Sequence, residues 1–192
     1  MNIRVQGLLR STAAAIALAA AGGAAHSLTV PELQQMLRSA PTTSARYEEV
    51  RESPWLSAPV TTRGTLKVTA QALEKHAESP RRETWRLLAD RVEWQGGSAG
   101  ERKQILFSQA PALQALADVT RQAIAGDLVA LERDFTIAVS GDERVWSARL
   151  QPRGAALSRQ LQAVELQGTG DRLTVLIVTE RGGERTTTRI LP

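Results

Sequence analysis

Side chains able to carry out catalysis are few and scattered in this sequence. Cys is absent, which excludes a thiolate nucleophile, a disulfide, sulfur-bound zinc and a lipidated N-terminal Cys. The two histidines, His26 and His76, do not have the spacing of a metal-binding pair. No Ser occupies a nucleophile-elbow motif, and the glycine-rich run 96–100 lacks the Lys of a phosphate-binding loop. The sequence therefore predicts no catalytic residue, no metal site and no cofactor.

Carboxylates are interspersed with arginines, as at Glu48 and Glu49 beside Arg46 and Arg51. This mixture is typical of solvated strand faces. Two acids that flank a cleft, as in glycosidases, stay open as an alternative, but no pair is distinguished by its spacing. A small envelope hydrolase is disfavoured because Cys and a motif-placed Ser or His are lacking.

The four tryptophans are more informative. Trp55 lies in a loop between prolines, whereas Trp85, Trp94 and Trp146 fall on apolar-facing positions of predicted strands. Core filling explains any one of them. Together, bulky rings on a concave sheet also suit an acyl-chain site, where burial stabilises each CH₂ by about 0.8 kcal/mol. Such a site needs neither a nucleophile nor a metal.

The net charge of +4 is modest. Arg4 and Arg10 contribute two of the positive charges. Without residues 1–25 the chain has 22 basic and 20 acidic residues, a net charge of +2. A nucleic-acid partner is not expected, because that function needs a concentrated basic face.

The first 25 residues have the pattern of a signal peptide. A short basic segment is followed by an apolar run at 11–21 and by Gly22-Gly23-Ala24-Ala25. The apolar run is shorter than the ~20 residues that span a bilayer. We expect export, removal of residues 1–25, and a soluble periplasmic domain over residues 26–192.

Two helices are predicted. The first covers 28–39, where Thr29 and Glu32 form a capping box and Leu28 and Leu33 a hydrophobic staple. The second covers 111–125, with apolar residues at helical spacing. Gly126 should end this helix, and Asp127 should cap a further short turn to residue 131.

The rest of the chain predicts strands with alternating polarity. They cover 45–52, 60–68, about 75–77, 83–88, 91–95, 135–139, 145–150, 160–167, 172–180 and 184–191. The pattern indicates a mainly β, α+β domain with one strongly curved antiparallel sheet. The apolar stripes of the helices then have to lie on its concave face, where sheet and helices enclose an apolar space.

Several local patterns, taken in order, resemble the LolA family of periplasmic lipoprotein carriers over residues 26–192. Tyr47 with Glu48, Glu49 and Val50 looks like that family's first strand, and Gly64-Thr65-Leu66-Lys67-Val68 is similar to its second. Further matches are Ala89-Asp90-Arg91-Val92-Glu93-Trp94, Ile124-Ala125-Gly126-Asp127-Leu128 followed by Leu131 and Phe135, Leu150-Gln151-Pro152-Arg153, and Leu161, Val164, Leu166, Leu173, Leu176 and Val178.

The resemblance implies an incomplete β-barrel closed by a helical lid over a hydrophobic cavity. Such a carrier takes acyl chains of lipoproteins from an inner-membrane exporter and delivers them to an outer-membrane acceptor. Without a lipidated Cys, this chain resembles the soluble, monomeric carrier and not the acceptor. One departure concerns the lid latch, because Ala70 and Gln71 stand where the family has an Arg-Pro step. Cargo other than lipoprotein, such as another lipid or amphiphile, therefore fits as well.

The predicted mechanism is reversible opening of the two helices. Strand alternation and helical spacing assign the residues, and a slip of one residue would invert a strand. The predicted cavity residues are Leu66, Val68, Trp85, Trp94, Leu116, Ile124, Trp146, Leu150, Val164, Leu166, Leu176 and Val178. The predicted lid residues are Leu33, Met36, Leu37 and Leu113. A sensor or accessory module of the same fold, which binds lipid or protein without transport, is the alternative.

Overall fold

Eleven strands form one sheet in the part of the chain that a computed structural model describes, residues 28–69, 71–97 and 100–191. The strands are β1 (Ser44–Glu52), β2 (Val60–Val68), β3 (Leu73–Ser79), β4 (Glu83–Leu87), β5 (Arg91–Gly96), β6 (Glu101–Leu106), β7 (Phe135–Gly141), β8 (Val145–Pro152), β9 (Leu161–Thr169), β10 (Arg172–Glu180) and β11 (Arg185–Leu191). The helices are α1 (Val30–Ser39), α2 (Pro111–Ala125) and the one-turn α3 (Leu128–Leu131) and α4 (Ala155–Ser158), with a 3₁₀ turn at Phe107–Gln109.

Two consecutive meanders make up this sheet. The strand order is β6-β5-β4-β3-β2-β1-β11-β10-β9-β8-β7, and β1 pairs antiparallel with β11 where the meanders meet. β6 and β7 are the two edges, so the curved sheet is not closed into a barrel. The predicted fold, a curved and unclosed antiparallel sheet with a few helices, is confirmed.

Local sequence signals set the start of α1. The Thr29 backbone N–H donates to Glu32 Oε2 at 2.8 Å, and the Glu32 backbone N–H donates to Thr29 Oγ1 at 3.4 Å. Leu28 and Leu33 are both buried in the same core. The predicted capping box and staple are therefore confirmed, and a cap of this kind stabilises a helix by about 1 kcal/mol.

The turn from α2 to α3 confirms one prediction and corrects another. Gly126 ends α2 in the left-handed conformation, with φ of 73°. The prediction that Asp127 caps α3 is wrong, because its side chain pairs with Arg38 at 3.0 Å and makes no capping hydrogen bond. Gln34 Oε1 of α1 instead accepts the backbone N–H of Val129 at 2.8 Å. A residue distant in sequence thus satisfies the first turn of α3 and fixes it to α1.

The helices lie on the concave face of the C-terminal meander. α1 contacts β7 and β10, and α2 contacts β10 and α4. Burial of each large apolar side chain in this core contributes about 1.5–3 kcal/mol. The core includes Leu33, Leu37, Val119, Ala123, Leu128, Phe135, Leu150, Leu166 and Leu176, each no more than 5% exposed.

Two elements were missed from the sequence. β6 carries six exposed residues, Glu-Arg-Lys-Gln-Ile-Leu, so its sequence lacks the alternation of a half-buried strand. The single turn α4 is too short for a periodic signal. The third predicted strand, 75–77, is longer in the structure and covers Leu73–Ser79. The predicted signal segment 1–25 and Ala70 of the latch comparison lie outside the described residues.

Candidate ligand-binding face

The concave face of the N-terminal meander carries a cross-strand row of side chains that continues from the core. In register, Leu66 of β2 pairs with Lys75 of β3, Lys75 with Trp85 of β4, and Trp85 with Trp94 of β5. Trp94 pairs in turn with Lys103 of β6. Because side chains two residues apart share a face, this row lies on the same side of the sheet as the core.

A neighbouring row on the same face meets α2. It consists of Leu73, Leu87, Val92 and Ile105. Val92 packs with Phe107 and Ala117 in a second, small cluster, to which Leu87 and Leu113 add partly buried contacts. Few side chains of α2 therefore contact this second row. The row that contains Trp85 and Trp94 lies beside it and is only partly covered.

Trp85 and Trp94 form the aromatic centre of the open row. Their ring centroids are 6.3 Å apart, with an interplanar angle of 57°, a separation typical of interacting aromatic pairs. Trp94 Nε1 donates to Glu83 Oε2 at 2.8 Å, which fixes the indole. The Trp85 side chain lacks such a contact in the described structure and is 36% exposed. The pair thus presents one anchored ring and one accessible ring.

Lysines flank the two rings at either end of the row. Lys103 Nζ lies 5.2 Å from the Trp94 ring centroid and 3.8 Å from Glu101 Oε2. Lys75 Nζ lies 2.5 Å from Glu49 Oε2. Each lysine charge is therefore balanced by a carboxylate, so the row offers apolar rings without an excess of positive charge.

A polar cluster closes the inner end of the row. Thr188 Oγ1 donates to Glu49 Oε2 at 2.7 Å, and Lys75 Nζ lies 5.1 Å from the centroid of the buried Tyr47 ring. Burial, and then the charge of Glu49, raise the pKa of Tyr47 above its ordinary value. The phenol stays protonated at neutral pH, so this cluster does not supply a phenolate nucleophile.

Most of the predicted cavity residues lie in the packed core. Eight are buried in one cluster: Leu66, Ile124, Trp146, Leu150, Val164, Leu166, Leu176 and Val178. Val68 and Leu116 are partly buried against it. Trp146 is also fixed by a hydrogen bond from Nε1 to the carbonyl oxygen of Gly170 at 2.8 Å. Leu66 begins the cross-strand row but is buried, so only Trp85 and Trp94 of the predicted set lie on the open part of the row.

The predicted lid residues divide between the two clusters. Leu33 and Leu37 are buried in the main core, and Met36 packs against it. Leu113 packs against the small cluster. In this conformation the helices fill the space that the sequence assigned to a ligand.

Two grooves are lined largely by residues of the face opposite the core. One, of about 550 Å³, is lined by β4–β6 residues such as Arg86, Glu93 and Arg102, and Trp94 and Lys103 of the cross-strand row also border it. A second, of about 420 Å³, includes Ser140 and Ser147. Arg86 is tied to Glu93 at 3.2 Å, so the first groove is braced by an ion pair.

Of the residues considered for catalysis, His26 lies outside the described residues, and the others are not brought together. Glu48 pairs with Arg63 at 2.8 Å, whereas Glu49, as the next residue of the strand, points to the concave face. His76 Nε2 lies 3.2 Å from Glu74 Oε2. Within residues 28–69, 71–97 and 100–191, no group of three or more His, Cys, Asp or Glu is placed to hold a metal ion.

Sequence reasoning missed the polar partners of the aromatic row. Lys75 and Glu49 are ordinary charged strand residues in the sequence. The sequence pattern that could have identified Lys75 is the alternation of Leu73, Lys75 and Ala77. If the strand is taken to begin at Leu73, this alternation places Lys75 on the apolar face. Lys103 had no signal, because β6 was not predicted.

Comparison with known proteins identifies a family for this chain. A family model described as outer membrane lipoprotein carrier protein LolA-like matches residues 20–190. No curated protein matches the chain. Among the helices that the structure describes, none has the length and apolar character needed to cross a membrane.

The solved structures to which this chain is similar are distant in sequence. A LolA superfamily protein from Nitrosomonas europaea is 10% identical, with a TM-score of 0.47, over 86% of this chain and 92% of that chain. A DUF1329 family protein from Desulfovibrio piger is 10% identical, with a TM-score of 0.43, over 84% of this chain and 89% of that chain. The family assignment therefore rests on the family model: because that model matches residues 20–190, the chain belongs to the outer membrane lipoprotein carrier protein LolA-like family.

Proposed function

We propose that this protein is a periplasmic carrier that binds the acyl chains of a lipoprotein or of another amphiphile and shuttles them towards the outer membrane. The proposal rests on the observation that the helices cover one part of the concave face and leave another part exposed. Helices fill the face over the C-terminal meander, whereas the Trp85–Trp94 row on β4 and β5 stays partly open beside the small cluster. Family membership supports the same class of function.

The open row is suited to the first contact with an acyl chain. The rings provide apolar surface, and the lysines at either end are neutralised by Glu49 and Glu101. An alkyl chain therefore meets no unpaired charge along the row. Burial of about ten CH₂ groups yields about 8 kcal/mol before the cost of ordering the chain.

From the row, the chain can enter beneath α2. In the small cluster, Val92 of β5 packs with Phe107 and with Ala117 of α2, whereas buried residues of β1–β3 belong to the main core. Displacement of α2 there exposes much less apolar surface than displacement of α1 and α3 from the main core. We therefore propose that α2 opens first, at the Leu113 end.

The predicted cavity residues that are buried in the core would contact the acyl chain only in an opened conformation. Leu66 connects the core to the open row, because it pairs with Lys75. An acyl chain that replaces helix contacts on this face would reach Val164, Leu166 and Leu176. The assignment of the twelve cavity residues and of the lid residues Leu33, Met36, Leu37 and Leu113 remains a proposal for this ligand-bound state.

The partners in this proposal are an inner-membrane exporter that supplies the cargo and an outer-membrane acceptor that receives it. The carrier acts as a monomer and binds by burial alone, without catalysis or a cofactor. A sensor of the same fold would bind a similar ligand but would have no acceptor to which it releases it.

Two measurements test binding. Native mass spectrometry of protein purified from the periplasm should show a co-purifying lipid mass. In titration with a dansyl-labelled fatty acid, the purified protein should bind the probe, and Trp85→Ser should weaken binding about tenfold because a contact surface of the chain is lost. Trp55→Ser, which removes a distant exposed ring, is the matched control and should leave the titration unchanged.

Some results would contradict the proposal. A protein that is purified empty and does not take up the fatty-acid probe is not a carrier of acyl chains. Retention of a bound lipid in the presence of acceptor vesicles and of the outer-membrane fraction would support the sensor instead.

A further inference from the structure

The most exposed large apolar side chain of the described structure is far from the aromatic row. Trp55 is 88% exposed and lies in the loop 53–59 between β1 and β2. The loop contains Pro54, Leu56 and Pro59 and no charged side chain. Its first part is held in a turn by a hydrogen bond from the Leu56 backbone N–H to the carbonyl oxygen of Ser53 at 3.0 Å. The indole is thus presented to solvent on a defined turn and contributes nothing to the core.

Two exposed arginines lie at the same end of the sheet. The pairing of Arg63 with Ser79 places the β3–β4 turn, with Arg81 and Arg82, beside the beginning of β2. Both arginines are exposed, and neither has an ion pair or hydrogen bond within the described residues. Their charges are available to an external partner.

Two other arginines at this end are already neutralised by the protein. Arg51 pairs with Glu184 at 3.3 Å, and Arg63 pairs with Glu48 at 2.8 Å. The turn between β10 and β11 is close to the loop, since a Cβ on Gly183 would lie 3.0 Å from Pro54 Cγ. Arg185, opposite Glu52 in the β1–β11 register, is a further exposed arginine at this end without an ion pair among the described residues. Arg81 and Arg82 differ from it in lying together in one turn near the apolar loop.

We infer that this end of the sheet, defined by Trp55, Leu56, Arg81 and Arg82, binds the surface of a bilayer that contains anionic lipids. Trp side chains favour the level of the headgroups, where the ring is in an apolar region and its N–H remains hydrated. Arginines close to an anionic surface gain about fivefold in affinity each. The loop 53–59 and the turn 80–82 contain no acid, and the exposed Glu52 and Glu78 lie behind them in β1 and β3. An apolar loop beside a basic turn, without a groove, suits a flat anionic surface better than a protein ligand.

The expected binding is weak and reversible. Stable membrane anchoring takes about two lipid chains, and a single lipid chain gives only marginal binding. One Trp ring and two Arg charges are expected to contribute less affinity than two such chains. A protein that leaves the membrane after each visit needs such an interaction. The inference concerns a surface that the acyl-chain site does not use, so it holds or fails independently of the proposed function.

Vesicle sedimentation tests the inference with the chain that lacks residues 1–25. Vesicles made from equal parts of phosphatidylglycerol and phosphatidylcholine should sediment the protein, and vesicles of phosphatidylcholine alone should bind much less. Added salt should weaken the binding. Trp55→Ser should reduce the partition coefficient about tenfold, and the double variant Arg81→Ser, Arg82→Ser should reduce it by more than about tenfold.

Val145 provides the matched control. It is 64% exposed at the opposite end of the sheet, in the turn that also contains the exposed Arg144. Val145→Ser and Arg144→Ser should leave the partition coefficient unchanged. The inference is overturned if the unaltered protein does not bind anionic vesicles, if phosphatidylcholine vesicles bind it equally well, or if Val145→Ser weakens binding as much as Trp55→Ser. Trp55→Ser should still bind the fatty-acid probe, and Trp85→Ser should still bind vesicles.

Discussion

Glu180, the last residue of β10, is expected to make stability depend on pH. Burial, and then the charge of Glu184, raise the pKa of this carboxyl group, and Arg51 partly opposes them. Because the folded state binds the proton more tightly than the unfolded state, folding is favoured at acidic pH. The advantage is lost as pH rises through the unfolded pKa towards the folded one. Glu180→Gln should therefore stabilise the protein at pH 7 by up to ~0.5 kcal/mol, since much of the group is solvated.

Denaturant unfolding at neutral and acidic pH measures this effect. The difference between Glu180→Gln and the unaltered protein should disappear below the ordinary pKa of a glutamate. Glu143→Gln, in the exposed turn between β7 and β8, serves as the control. If Glu180→Gln were less stable than the unaltered protein at pH 7, the carboxylate would be favoured in the folded state and the prediction would be wrong.

The tryptophans show how far a residue can be interpreted from its sequence position. Alternation assigned Trp85, Trp94 and Trp146 to one face of the sheet, and the structure places all three on that face. It then separates them, because Trp146 is buried in the main core and Trp85 is partly exposed. The face follows from the two-residue period of a strand. Whether a given Trp is buried depends on where helices distant in sequence pack. No pattern within the strands encodes that.

The junction of α1 and α2 gives a prediction at the level of elements. Gly126 has a φ of 73°, and a Cβ added there would lie 2.9 Å from Leu37 Cβ of α1. Gly126→Ala thus adds a steric contact to the backbone strain of about 1–2 kcal/mol. We expect a loss of about 3 kcal/mol and a decrease in Tm of about 8 °C.

Gly170→Ala is the control for the backbone strain alone. Gly170 has a φ of 57°, and nothing lies within 4 Å of a Cβ added there. This variant should lose about 1 kcal/mol. Equal losses in the two variants, measured by thermal unfolding, would mean that α1 does not approach α2 closely at Leu37.

Elements with local signals could be predicted, and those with distant partners could not. The capping box of α1 involves residues three apart, so Thr29 and Glu32 identified it in the sequence. The cap of α3 comes from Gln34, 95 residues away from Val129. β6 is an edge strand with both faces exposed, so it lacks the polarity pattern that half-burial imposes on the others.

At the scale of the whole molecule, stability should be distributed unequally between the two meanders. The main core joins α1, α2 and α3 to strands β7–β10 and also includes Tyr47, Leu66 and Leu73 of β1–β3. The small cluster attaches α2 to β5 through only three buried residues. Amide exchange is slowest where opening exposes the most apolar surface. We expect amides of β8–β10 to exchange about a hundredfold more slowly than those of β4 and β5.

Hydrogen exchange read by mass spectrometry can also locate the opening of the lid. In the ligand-free protein, α2 should exchange faster near Leu113 than near Ile124, because its first part packs on the small cluster and its last part on the main core. A saturating fatty acid should slow exchange in β4, β5 and the first part of α2, while β9 and β10 stay unchanged. Uniform protection of both meanders without ligand would show that the sheet opens as one unit. In that case no separate opening of α2 exists, and entry of an acyl chain at the tryptophan row would have no physical basis.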